Sequence, residues 1–284
     1  MLRKTLIFAS VFISLNTSAQ IEDEILAEGK LLFRLEKASW NSTDDFLSRF
    51  PGKREITGGY VSYESDNHKI TTIFFSQANN DSLLVRYEFD VIPDAPLKID
   101  TAQLEITALE KDLIEMRRDA NNQIISNSDN FFTFYKNTSL NLIPVITEKE
   151  RRVFILTGPQ VSDVVIIGND YLLEYNKKNK LTAKKKIHNS MLQYPYKSDD
   201  PENPLKSTFH SHVLSEYISS TDICTLLLYK NYVEWKQHYV VSKKYISVFD
   251  MEKESLLILT KKAWDKINEH QEAKNDNKSK DHSE

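Results

Sequence analysis

Short runs of β-branched and aromatic residues, separated by Asn- and Asp-bearing turns, constrain this chain more than any other feature. Residues 60–63, 70–75 and 83–89 are such runs, with Asp66-Asn67 and Asn79-Asn80-Asp81 between them. The pattern predicts antiparallel hairpins, because side chains that pack on a pleated surface alternate with residues that tolerate tight turns. Helical periodicity flanks them. Ile25, Leu32 and Leu35 recur at helix spacing within residues 21–49, and Ser42-Thr43-Asp44-Asp45 reads as the cap of a second short helix. Asp100-Thr101 reads as the start of a further helix, with Ile106, Leu109, Leu113 and Met116 on one face. The expectation is an α+β fold, with an N-terminal α+β domain over residues 20–130 that ends in the polar stretch 121–130. Tyr60, Tyr63, Phe74 and Phe75 are expected to pack in its core.

The second half, residues 131–270, reads as a mixed β-sheet domain with flanking helices. Strands are expected at 153–157, 164–167, 171–175 and 181–187, with Asn176-Lys177-Lys178-Asn179 as a turn. A helix is expected at 220–230, strands at 239–241 and 245–249, and a last helix around 256–268. Residues 271–284 are almost wholly charged or polar, the composition of a disordered tail.

Charge and cysteine usage exclude several classes. Lys and Arg number 37 against 41 Asp and Glu, and a net charge of −4 removes the electrostatic reason to bind nucleic acid. With six glycines in all, the chain has no glycine-rich phosphate loop. The one cysteine, Cys224, excludes intrachain disulfides and a four-cysteine zinc site. Its neighbours Ile223, Leu226 and Leu227 mark it as a buried, inert thiol.

The first residues carry an address. Arg3 and Lys4 precede the apolar stretch 6–15, and Thr17-Ser18-Ala19 supplies the small residues of a cleavage site. A signal peptide over residues 1–19 is expected, and with it a secreted or periplasmic location. The apolar stretch is shorter than the roughly 20 residues of a spanning helix, so the protein is not expected to span a membrane.

The segment from His210 to Asp222 carries the chemistry. Residues two apart on a strand share a face, so His210 and His212 can present two imidazoles to one ion. Ser219 or Ser220 is placed to cap the following helix, and Asp222 in its first turn can return a carboxylate toward them. Two nitrogens and one oxygen leave a fourth tetrahedral position for water, the geometry of a catalytic zinc. A serine hydroxyl beside the metal can donate to an oxyanion. His188 and His238 show no partner pattern and read as structural or surface residues.

His-x-His, a short spacer and Ser-x-x-Asp at a helix start resemble the metal motif of the JAB/MPN (JAMM) metallopeptidases. The resemblance covers about residues 145–252. The spacer between His212 and Ser219 holds six residues where the family usually has seven, and Val213 stands where proline is common. The resemblance implies one zinc per chain on His210, His212 and Asp222, with Ser219 stabilising the tetrahedral intermediate. It implies a glutamate base, for which Glu150 is the first candidate and Glu148 and Glu174 the others. A peptide or protein amide is the implied substrate. The rival expectation is a secreted, non-catalytic binding protein on a degenerate or unrelated α+β fold.

Overall fold

A computed structural model describes residues 5–77, 82–102 and 105–270, with side chains from residue 19 onward. The expected leader falls partly outside this set and partly on the backbone of the first helix. The expected tail, residues 271–284, lies outside the described residues.

Helix α1 (Thr5–Arg49) is continuous through Ser42. Ser39 Oγ donates to Leu35 O and Ser42 Oγ to Ser39 O. These hydroxyls bond back along the helix and do not cap a new one, which corrects the expected break. Pro51, one residue past Phe50, ends the helical run because proline disfavours helical geometry in the residue before it.

Strands β1 (Thr57–Glu64), β2 (Ile70–Ser76), β3 (Leu83–Phe89) and β4 (Pro96–Asp100) form an antiparallel meander in chain order. Asp100 therefore closes a strand and opens no helix. Helix α2 (Ala108–Ser126) begins later, at a reciprocal capping box between Thr107 and Glu110. It runs on through residues 121–126 and stops at Asn127, whose left-handed backbone suits a helix end.

A second antiparallel sheet orders β5 (Thr138–Ile146), β6 (Arg151–Pro159), β8 (Tyr171–Tyr175) and β9 (Leu181–Lys186). Strand β7 (Val164–Gly168) pairs instead with β10 (Met191–Pro195). The third sheet is mixed. Its β11 (Ser207–Ser211) runs parallel to β12 (Gln237–Val241), joined through helix α3 (Ser220–Tyr229). Strands β13 (Tyr245–Asp250) and β14 (Ser255–Thr260) complete it antiparallel. Residues 256–259 are thus strand, not helix. Leu256 and Ile258 are buried while Leu257 is exposed, a period of two that pairs with β13. Helix resumes only at residues 261–270.

The fold is α+β. One large apolar cluster joins Leu32 and Leu35 of α1 to Phe74 and Tyr87 of the first sheet, to Leu226 of α3, to Trp235 just before β12, and to Phe249 of the third sheet. Phe74 stacks on Phe46 with ring centres 4.1 Å apart, so the strand aromatics are core. Helix α2 contributes Met116 and Ala120 to a second cluster with Val153 and Tyr171, and Leu113 and Ile114 to a third with Val61 and Phe75. Cys224 is buried, and burial pushes its thiol well above the ordinary value. Among the described residues no helix is long and apolar enough to cross a membrane.

Candidate metal centre

The strand–helix–strand unit β11–α3–β12 builds the site. Burial alternates along β11, so His210 is buried between exposed Phe209 and Ser211. The His212 amide extends the pairing by donating to Val241 O at 2.9 Å, which keeps its imidazole on the buried face with His210. At the far end of the loop, Ser219 caps α3. Ser219 Oγ accepts from the Asp222 amide, and the Ser219 amide and hydroxyl both donate to Asp222 Oδ2, at 2.9 and 2.8 Å. This capping box fixes the Asp222 carboxylate with its other oxygen, Oδ1, facing the histidines.

His188 completes the cluster. Its Nε2 lies 3.1 Å from Asp222 Oδ1 and 3.0 Å from His212 Nε2. His212 Nε2 lies 3.2 Å from Asp222 Oδ2, and His210 Nε2 3.8 Å from Asp222 Oδ1. One donor atom from each of His188, His210, His212 and Asp222 lies within 4.8 Å of every other, and all four residues are buried. Metal–nitrogen bonds of about 2.0–2.1 Å place tetrahedral ligands about 3.3 Å apart, and the observed spacings bracket that edge. His210 Nε2 and Asp222 Oδ1 are buried without a hydrogen-bond partner. Two such atoms aimed at one point are costly unless a cation joins them. The donor set therefore fits a metal ion.

Each imidazole is also held from behind. His212 Nδ1 donates to Tyr217 O at 2.7 Å; a carbonyl only accepts, so the proton sits on Nδ1 and Nε2 presents a lone pair. His210 Nδ1 meets His238 Nε2 at 2.7 Å, and His238 Nδ1 meets Thr208 Oγ1 at 2.7 Å. His188 Nδ1 stands 3.3 Å from Asp170 Oδ2, an electrostatic pairing short of a well-aligned hydrogen bond. Carboxylate, carbonyl and imidazole partners of this kind orient metal-ligating histidines and fix their tautomers. Asp170 is itself anchored, accepting from the Thr157 amide at 2.9 Å.

Electrostatics divide the histidines. Burial lowers His210 to about 4, with His212 and His188 adding to the effect against Asp222, and lowers His238 to about 3. Both are neutral at pH 7. Burial also opposes charge on His188, but Asp222 and Asp170 outweigh it and raise the group to about 10. Burial opposes the charge of Asp222, yet the electrostatic pull of His188 and His210, with His188 and His212 close by, holds its carboxyl well below the usual range.

The structure brings together three of the five expected site residues, His210, His212 and Asp222. Ser219 sits beside them as the helix cap, its hydroxyl engaged by Asp222 and Thr221. Glu150 lies in the β5–β6 turn, more than half exposed and paired with Arg152 at 3.1 Å, and is not among the converging groups. Glu148 is exposed, and Glu174 pairs with Lys185. The reading of His188 and His238 as unpartnered is corrected: His188 joins His210, His212 and Asp222 as a fourth converging donor, and His238 contacts His210. No local pattern marks His188 as a ligand; what places it is the sheet register. The β8–β9 hairpin pairs Tyr171 with Lys186, and continuing that register sets Asp170 beside residues 187 and 188.

A cavity of about 120 Å³ opens onto His188, His210 and His212. Asp222 does not line it and is buried. No protein-family model, no curated protein and no solved structure matches the chain.

Proposed function

We propose that this chain is an exported zinc protein whose His188, His210, His212 and Asp222 bind one ion and that it hydrolyses an amide bond of a peptide or protein. The observation that carries the reading is the cavity over three converging imidazoles, two of them hydrogen-bonded through Nδ1 from behind and the third, His188, facing the Asp170 carboxylate. Three imidazoles and a carboxylate suit zinc better than calcium or magnesium, which prefer oxygen. Bound there, zinc would act as a Lewis acid on a carbonyl oxygen and acidify water entering through the cavity. His-x-His with Ser-x-x-Asp supports the JAMM-like form of this reading. That form further assigns proton transfer to Glu150 and an oxyanion contact to Ser219.

One observation favours a second reading. Four protein ligands are the hallmark of a closed, structural zinc site, and among the described residues no glutamate converges on this one. The alternative is a secreted binding protein stabilised by its metal.

Elemental analysis of the purified chain, with a peptide-library digest with and without chelator, decides between them. Catalysis predicts about one zinc per chain and chelator-sensitive cleavage. On the JAMM-like form alone, Glu150→Gln should keep zinc and lose about a hundredfold in rate, and Ser219→Ala about ten- to a thousandfold. One zinc with no cleavage supports the structural reading, and no transition metal after reconstitution overturns both.

A further inference from the structure

We infer that the cavity above the metal centre selects a ligand whose metal-facing group carries a compact, uncharged, apolar substituent. On the hydrolase reading, on which this inference builds, that substituent is the acyl side of the scissile amide.

The walls carry the argument. Ile167 and Ile187 form the inner part, and Leu192, Val213 and Leu214 form the rim. Among the described residues that line the cavity, none is Asp, Glu, Lys or Arg. The rim residues are 43, 75 and 50% exposed, so apolar side chains are held in solvent beside a strongly polar cluster. Exposed apolar surface concentrated at a site marks recognition. Apart from the histidines, the polar members of the lining, Asn189, Ser190 and Ser211, are uncharged, so a carboxylate or ammonium pressed against these walls would lose its hydration with no opposite charge in return.

Size sharpens the class. An apolar cavity of about 150 Å³ accepts benzene. At about 120 Å³ this one suits a branched aliphatic group and is small for a large aromatic.

The charged groups stand elsewhere. Residues 211–214 separate the cavity from a wider hollow of about 560 Å³, whose lining includes Glu216, Lys243 and Lys261. His212 lines both. A ligand bridging the two would put its apolar end over the imidazoles and its polar remainder in the wide hollow.

Cobalt(II) loaded into the full chain in place of zinc gives a visible spectrum that reports ligation. Titration with acetohydroxamate, isovalerohydroxamate and succinate monohydroxamate should rank the branched aliphatic probe tightest. It should exceed acetohydroxamate by about tenfold or more, the least that a few methylenes contribute in a fitted pocket. The succinate probe should bind weakest. Leu214→Lys, at a half-exposed position, should keep cobalt stoichiometry and reverse the order of the isovaleryl and succinate probes. Equal affinities, or an unchanged order in Leu214→Lys, would overturn the inference while leaving the metal centre intact. Failure to take up cobalt overturns the inference together with the proposed function. The expected ranking in a chain that cleaves no amide upholds the pocket's preference and rejects the hydrolase.

Discussion

His188 Nε2 and Asp222 Oδ1 stand 3.1 Å apart in the middle of the buried cluster, so a proton on His188 and a metal ion compete for the same carboxylate oxygen. With its pKa raised to about 10, His188 is protonated at pH 7 in the metal-free chain. Metal ligation requires the neutral imidazole. Zinc uptake at pH 7 should therefore release about one proton per chain, read by calorimetry in buffers of different ionisation heat. Uptake without proton release would show that His188 is not a ligand.

The same pair sets a pH dependence of stability. A raised histidine contributes stability that is fully present below its ordinary value of 6.5 and is lost as pH climbs through about 10. Asp222, being lowered, contributes above 3.8 and loses that contribution as pH falls. The melting temperature of the metal-free chain should therefore decline between pH 6.5 and 10. The zinc-loaded chain should lack this decline, because the ion keeps His188 neutral throughout. Melting curves of both forms across that window check it.

His238 and Asp170 touch the ligands and not the cavity, so their replacement separates orientation from ligation. His238→Ala and Asp170→Asn should each weaken zinc by about ten- to a hundredfold while retaining one site at saturation. His212→Ala should abolish the site. Competition against a chromophoric chelator distinguishes the outcomes.

Gly29 brings α1 against the first turn of α3. A methyl group there would meet Ile223 Cβ and Cγ2 at 2.6 Å. Nearby, Glu28 accepts from Ser220 Oγ at 2.6 Å and pairs with Arg152 at 2.7 Å, so α1 anchors the turn that presents Asp222. Gly29→Ala should destabilise by about 1–3 kcal/mol through overpacking, despite alanine's better helix propensity. It should also weaken zinc by shifting Asp222. Denaturant melts paired with zinc titration test both effects, and a stabilised variant would refute the close approach.

Cleavage of the leader should leave a mature chain beginning at or near Gln20. Intact-mass measurement on protein from the native host decides this, and the full-length mass in a cytosolic fraction would refute it.

Local pattern carried the α+β class, the hairpins of β1–β3 and β8–β9, and the placement of His210, His212 and Asp222. Those features depend on neighbours along the chain: period-two burial on β11, a capping box within four residues, and a turn between adjacent strands. Local signals also misled. Ser42 resembled a cap until the surrounding helix gave its hydroxyl a backbone carbonyl, and residues 256–259 resembled a helix until β13 offered them a partner. The fourth ligand and the supports behind the imidazoles came only with tertiary structure. His188 reaches Asp222 across 34 positions of sequence, and His238 reaches His210 through a parallel pairing that requires the α3 crossover. No periodicity encodes such meetings, because they are set by how separate sheets and helices close around one core.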